Sequence, residues 1–211
     1  MENRFIITVN REFGSGGRVI GYKIGELLGV KVYDKAILEK MTEEYKLSEE
    51  ELEKIKAKKV HWWDDFCNFY RQFDSFGKSA SEEMRMVTSL RLYHTEAAII
   101  RSLVKQESCV IIGRSAFHIF KDDPTAFKIM FIANDEHRIK RVMKIHDMSR
   151  FEAMKMMKEA DEARETYTKN FSGTSRYDAR HYDLVVNVSG YDEDKVAKFI
   201  ADIIRKKYGI K

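Results

Sequence analysis

The sequence predicts an α/β fold, a five-stranded parallel sheet with helices on both faces, and two observations carry that prediction. Short continuous apolar runs, the mark of strands buried on both faces, alternate with stretches whose apolar residues recur every three or four positions. Strands separated by helical crossovers build parallel sheets. The second observation is the run Phe5-Ile6-Ile7-Thr8-Val9, which leads through Arg11-Glu12-Phe13-Gly14-Ser15-Gly16-Gly17-Arg18 into a helix through Leu28. Strand, glycine-rich turn and helix are the parts of a phosphate cradle. Glycines let main-chain N–H groups approach an anion, and the unsatisfied N–H groups and dipole of the helix start attract it.

Gly14, Ser15, Gly16 and Gly17 are therefore the predicted phosphate-cradling residues, with Arg18 as a charged clamp. Set against the phosphate loop G-x-x-x-x-G-K-[ST], Arg11 falls on the first glycine, Gly16 on the second, Gly17 on the lysine and Arg18 on the hydroxyl residue. Only Gly16 keeps its place. Two functional readings follow: Arg18 supplies the lysine's charge from a shifted position, or the loop binds an anion without catalysing transfer. The structural alternative is a βα turn with no ligand.

Composition narrows the function classes. With 211 residues, 44% hydrophobic and 34% charged, the chain can bury a core without disulfides or metals, and it is neither disordered nor collagen-like. The net charge of +4 is spread among acids, which fits a small anionic ligand and not duplex DNA. Cys67 and Cys109 match no metal or redox spacing. No apolar run approaches the roughly 20 residues of a membrane span, and the first is too short for a signal peptide, so a cytoplasmic protein without membrane association is expected.

The remaining elements follow in order. Gly29 stops the first helix, and Val30-Lys31-Val32-Tyr33-Asp34 forms a strand. At its carboxyl end Asp34 suits indirect contact with magnesium through water, or contact with a substrate hydroxyl. It equally suits the N-cap of the helix Lys35-Ala36-Ile37-Leu38-Glu39-Lys40-Met41. Ser48-Glu49-Glu50-Glu51 is a capping box. Residues 58–81 are densely aromatic, with His61, Trp62, Trp63, Phe66, Phe69, Tyr70, Phe73 and Phe76, and form an insertion over the core. It reads as a lid or base-stacking surface, a homodimer contact, or a satellite hydrophobic cluster.

Residues 82–107 place Met86, Leu90, Tyr93, Ala97, Ile100 and Leu103 or Val104 at spacings of four and three, one long helix with a buried stripe, and Arg85, Arg91 and Arg101 off it. Cys109-Val110-Ile111-Ile112-Gly113 is a buried strand. Arg114 and Ser115 follow at its carboxyl end, where ligands of open parallel sheets bind, so Arg114 faces the same crevice as the glycine loop and Asp34. Asp122-Asp123-Pro124 turns into the strand Phe127-Lys128-Ile129-Met130-Phe131-Ile132-Ala133. Asp135 starts a basic helix, and the capping box Ser149-Arg150-Phe151-Glu152 opens a longer one. Lys155, Lys158, Asp161 and Arg164 keep near-helical spacing there, which places much of that charge along one side, as in a lid closing on phosphates or a solvated helix. Tyr182-Asp183-Leu184-Val185-Val186-Asn187-Val188 is the last strand, and Val196, Phe199, Ile200, Ile203 and Ile204 mark the closing helix.

The segments Asn10-Arg11-Glu12-Phe13-Gly14-Ser15-Gly16-Gly17-Arg18, Tyr33-Asp34-Lys35, Ile111-Ile112-Gly113-Arg114, Asp161-Glu162-Ala163-Arg164 and Tyr182-Asp183-Leu184-Val185 span nearly the whole chain. In this order they resemble the cytidylate kinase-like family, a branch of the P-loop nucleoside monophosphate kinases. The resemblance implies a three-layer P-loop kinase-type fold with a helical insertion and a lid. It makes residues 1–211 one domain, with residues 58–81 as a substrate-side insertion and about 146–173 as the lid. It also implies ATP and Mg²⁺ as cofactors, a nucleoside triphosphate as donor, and a small phosphorylatable acceptor, a nucleoside monophosphate such as CMP or dCMP.

On that resemblance Gly14, Ser15, Gly16, Gly17 and Arg18 cradle the ATP phosphates, and Arg114 matches the arginine of the family's glycine-arginine-aspartate element. The aspartate of that element is Ser115 here, and the phosphate-loop lysine is absent. Arg91 matches a substrate-phosphate arginine, while Lys158, Asp161 and Arg164 match the lid signature. Phosphoryl transfer needs positioning and charge neutralisation more than covalent chemistry. Arg18, Arg114 and Arg164 are the neutralising candidates, with Asp34 beside the metal. The rival expectation is a nucleotide-binding sensor or vestigial kinase without turnover.

Overall fold

The computed structural model describes residues 4–34 and 107–210, with Tyr93, His94, Ala97, Ile100, Arg101, Val104 and Lys105 between them. The aromatic stretch 58–81, Arg91, Cys67 and the capping box at Ser48 lie outside the described residues. Five strands form one parallel sheet: β1 (Ile6–Arg11), β2 (Lys31–Tyr33), β3 (Cys109–Ile112), β4 (Ala126–Ile132) and β5 (Leu184–Asn187). Their order is β2-β3-β1-β4-β5, every neighbouring pair parallel. The chain thus leaves β1 to one side for β2 and β3 and to the other for β4 and β5. Such a reversal opens a crevice at the carboxyl ends of the central strands, where the glycine turn sits.

Alternation along β1 divides the core between the two faces. Ile7 and Val9 point to one side, where Ile20 and Ile24 of α1 (Gly17–Leu28) and Ala197, Ile200 and Ile204 of α5 (Glu193–Tyr208) close over Val110, Ile112, Ile129 and Phe131. Ile6 points to the other. There it meets Ile100, Val104, Cys109 and Ile111, together with Ala116 and Ile119 of α2 (Ala116–Ile119). Ala97, Ile100 and Val104 are helical and buried, as their spacing predicts. A third apolar cluster joins Phe13 of the glycine turn to Ile139 and Val142 of α3 (Asp135–His146) and Ala153, Met157 and Ala160 of α4 (Arg150–Ser172). The glycine turn is therefore packed under the α3–α4 pair.

Element ends differ from the sequence expectation by one to three residues, for physical reasons. Strand β1 runs two residues past Val9 because Asn10 and Arg11 stay in register with Met130 and Phe131 of β4. Strand β5 starts at Leu184: Tyr182 closes the 3-10 turn Ala179–His181, and the Asp183 N–H already bonds the Lys128 carbonyl. The capping box at Ser149 and Glu152 forms in both directions. Among the described residues no helix is long and apolar enough to cross a membrane.

Cys109 sits fully buried on β3. Burial, then the neighbouring Glu107 carboxylate, push its thiol up to about 12, against the weaker pull of Arg4. The thiolate is the reactive form, so at pH 8 the folded chain presents almost none at this position. Iodoacetamide at pH 8 is expected to leave Cys109 unmodified in the native protein and to alkylate it fully in guanidinium, read by peptide mass spectrometry.

Candidate phosphate-binding site

Backbone bonds anchor the glycine turn on both sides. The Glu12 N–H bonds the Phe131 carbonyl, and Glu12 Oε2 accepts the Ala133 N–H at 3.0 Å. Ser15 Oγ donates to the Glu12 carbonyl and accepts the Gly17 N–H. Gly14 and Gly16 hold φ of 81° and 86°, a conformation that side chains disfavour. Gly16 is the N-cap of α1, and no side chain caps the helix from that position. Ser15 Oγ takes the first N–H of the helix, and the N–H groups behind it in the first turn receive no capping bond from position 16.

Arg18 and Asp34 are brought together as a pair. Arg18 Nε donates to Asp34 Oδ2 at 2.6 Å, with the Asp34 side chain 3% exposed and that of Arg18 38%. Asp34 is thus the carboxylate that partners the clamp as well as the group facing the crevice. Among the described residues no group of three or more metal-binding side chains gathers. That sparse donor set fits a metal carried mainly by phosphate oxygens.

Arg114 and Ser115 follow β3 in an unusual backbone. Gly113, Arg114 and Ser115 have φ of 77°, 54° and 52°, three left-handed residues in succession. Left-handed L-residues cost roughly 1–2 kcal/mol each, and such strain collects at functional sites. Ser115 is the N-cap of α2, yet its side chain makes no capping bond.

Asp161 is the hub on the lid side. Its Oδ1 accepts the Phe13 backbone N–H at 2.9 Å and Arg164 Nη1 at 3.1 Å, and its Oδ2 accepts Arg138 Nη2. Arg138 also donates from Nε to the Phe13 carbonyl at 2.7 Å. Arg164 is buried, with its guanidinium 5.7 Å from the Phe13 ring centre. Lys155 and Lys158 instead face solvent, paired with Glu159 and Glu162. The expectation that charge from Lys155 to Arg164 lies along one side is corrected here. Nine residues are about two and a half helical turns, so a spacing of three rotates the row from solvent to core.

The structure adds residues that the sequence reading did not single out: Asn10, Arg11, Arg138, Arg176 and Tyr182. Arg176 is 1% exposed; its Nη2 donates to Asn10 Oδ1 at 2.9 Å and to the Arg11 carbonyl. Tyr182 OH accepts from Asn10 Nδ2 and donates to the Arg176 carbonyl, both at 2.6 Å. Arg11, 8% exposed, ends β1 in the middle of this group. Burial, then Arg164, with Arg176 and Arg114, hold its pKa well below an arginine's ordinary value, and Asp34 opposes them. A sequence signal existed for Arg11, a charged residue ending the central strand. None existed for Arg176, whose contacts lie 165 residues away.

Because the Ser115 side chain is not used as a cap, glycine there relieves left-handed strain at the cost of extra backbone entropy. Ser115→Gly is expected to raise stability by about 0.5–1 kcal/mol, the balance of those two effects, in urea denaturation. A loss of stability would show that the hydroxyl has a structural role.

The sequence profile of the Cytidylate kinase-like family matches residues 6–190. No curated protein matches the chain. Among solved structures, an uncharacterized protein from Eubacterium ventriosum is 27% identical, with a TM-score of 0.60 over 95% of this chain and 98% of that one. A protein from Thermus thermophilus is 19% identical, with a TM-score of 0.55 over 95% and 97%. Shikimate kinase from Bacteroides thetaiotaomicron is 10% identical, with a TM-score of 0.51 over 95% and 98%, a likeness of fold alone. The strand order and this neighbour give the chain a P-loop kinase-like fold. By the profile match over most of its length, the chain belongs to the cytidylate kinase-like family.

Proposed function

We propose that the protein transfers a phosphoryl group from ATP to a small acceptor, a nucleoside monophosphate such as CMP or dCMP. The observation that carries this reading is the convergence of Arg114 and Arg164 with the buried Arg11 and Arg176 beside the glycine turn. Guanidinium groups gathered at a helix start suit the spread negative charge of a phosphoryl group in transfer.

In this reading Gly14, Ser15, Gly16 and Gly17 hold the donor phosphates through backbone N–H groups. Arg18 and Arg114 face those phosphates, and Arg164 neutralises the group in transfer from the lid side. Asp34 would hold Mg²⁺ through water, and the ion would supply charge neutralisation on the phosphates. Asp161 contacts the acceptor side while it fixes Arg164 and the turn in one geometry. Lys158, exposed on α4, reaches the acceptor only from a closed lid, and Arg91 joins from the acceptor side. Ser115 takes the place beside the base that the family gives to aspartate. The chain works as one domain, with residues 58–81 on the acceptor side and available for a homodimer contact, and about 146–173 as lid.

A second reading, binding without turnover, is favoured by one contact: the Arg18 guanidinium is bonded to Asp34 instead of standing clear of the turn. A single assay separates the two. ATP, Mg²⁺ and each of CMP, dCMP, UMP and AMP are incubated with the protein while ATP binding is measured in parallel. Transfer to one acceptor is expected, and Arg114→Gln is expected to lower kcat by about 100- to 1,000-fold, the usual effect of removing one transition-state donor. ATP binding with no transfer to any nucleotide would favour the sensor.

A further inference from the structure

Two arginines buried at the base of the turn are held very differently. Arg138 is bonded as a structural arginine should be: to the Phe13 carbonyl and to Asp161, with Glu12 at 3.7 Å and Asp135 at 3.6 Å. Arg11 is as deeply buried, yet among the described residues its guanidinium makes no hydrogen bond and no ion pair. The charges acting on it are those of Arg164, Arg176 and Arg114, against the one carboxylate of Asp34. Arg176 is an intermediate case, held by two hydrogen bonds from Nη2 and an ion pair with Asp161 no shorter than those of Arg138. Its Nη1 is buried without a hydrogen-bond partner, 3.8 Å from Asp161 Oδ1 and beyond bonding reach.

The fold nevertheless makes room for Arg11. A Cβ on Gly113 would stand 3.2 Å from Arg11 Cζ and 3.4 Å from Nη2. The turn after β3 therefore lacks a side chain where this guanidinium lies. A buried charge without a partner is costly, and a cluster of like charges more so. A bound anion would supply the partner that such a group lacks.

We propose that Arg11 is a phosphoryl-binding residue, and that Arg11 and Arg176 form a buried clamp on a phosphoryl group of the nucleotide held at the turn. The inference rests on the reading of this crevice as a nucleotide site. The ligand class is a phosphate dianion, whether the donor's terminal phosphate or the acceptor's. Burial and neighbouring positive charge already disfavour the Arg11 charge in the unliganded protein. Removing it should therefore relieve the fold and damage only binding.

The test compares wild type with Arg11→Met, which keeps an apolar stem, Arg11→Lys, which keeps the charge without the fork, and the surface control Lys140→Met. Thermal unfolding without ligand is measured first, then affinity for pyrophosphate, ATP, CMP and cytidine by calorimetry, and phosphoryl transfer last. Arg11→Met is expected to unfold at the same or a higher temperature than wild type. Its affinity for pyrophosphate and for ATP or CMP should fall by about 10-fold or more, as for loss of a charge-assisted bond, with cytidine unaffected. A loss confined to ATP assigns the donor phosphate, and one confined to CMP the acceptor's.

Should Arg11→Met fail to fold, Arg11→Lys decides: a folded variant with weakened phosphate binding supports the clamp, and one with wild-type affinity overturns it. The clamp also falls if Arg11→Met is destabilised while its affinities stay within about 2-fold of wild type, or if Lys140→Met loses as much. Wild type that binds ATP in an Arg11-dependent way but transfers nothing keeps the clamp and removes the kinase reading. Transfer that persists unchanged in Arg11→Met does the reverse. No affinity of wild type for any of the probes would overturn both.

Discussion

The carboxylate of Asp161 is the contact on which the site depends. It is the point where a helix in the second half of the chain grips the backbone of a turn near its start: the Phe13 N–H, Arg138 and Arg164 all meet it. Each partner alone is poorly placed. The turn contains three glycines and carries its own conformational freedom, while Arg138 and Arg164 are buried cations. Brought together, they fix one another, because a carboxylate that accepts several charge-assisted bonds satisfies the cations and orders the turn at once. The apolar seam of Phe13, Val142, Ala153 and Met157 then holds the helix pair over the turn.

That arrangement satisfies some of the buried positive charge and leaves the rest. Arg138 is fully engaged, and Arg18 is matched by Asp34. Arg11 and Arg176 donate to little or nothing beyond backbone and amide oxygens. Added to this is the left-handed run at 113–115, a backbone cost at the same ends of the same two strands. Charge strain and backbone strain thus collect at one place, the carboxyl ends of β1 and β3, while the sheet and its two flanking layers are consistently packed. Concentrated strain within an otherwise consistent fold is how binding sites differ from scaffolds.

The scaffold was legible because its signals are local. Buried parallel strands read as continuous apolar runs, Ser149 and Glu152 form a capping box within one turn, and the glycine turn sits between strand and helix where the pattern puts it. Strand ends were less legible, since register with a partner strand carried β1 to Arg11. The site was legible only in part. Gly14 and Gly16 form the turn after β1, Arg114 follows β3, Arg18 pairs with Asp34, and Asp161 bonds the turn at Phe13. The Arg18–Asp34 pairing and the position of Arg176 depend on side chains finding partners far along the chain, which no spacing rule encodes. The row from Lys155 to Arg164 shows a subtler limit: a three-residue step drifts by about a sixth of a turn each time, and over three steps the drift reverses the face.

The contrast between Arg18 and Arg11 bears on what replaces a phosphate-loop lysine. A lysine at such a loop works as a point charge on a flexible stem. Arg18 is the arginine that sequence position suggests as its substitute, yet it is more than a third exposed and already bonded to a carboxylate. Water and Asp34 both weaken the field it can add. Arg11 lies at the end of β1, buried and without a counter-ion of its own among the described residues, where a guanidinium's field on a phosphate is less screened. Gly17, at the lysine's aligned place, has no side chain, and a Cβ there would collide with the Cβ of Arg11 and with Phe131. A side chain at the lysine's aligned place is thus excluded by packing, and under the proposed clamp the cation stands at the end of the central strand instead of the helix start.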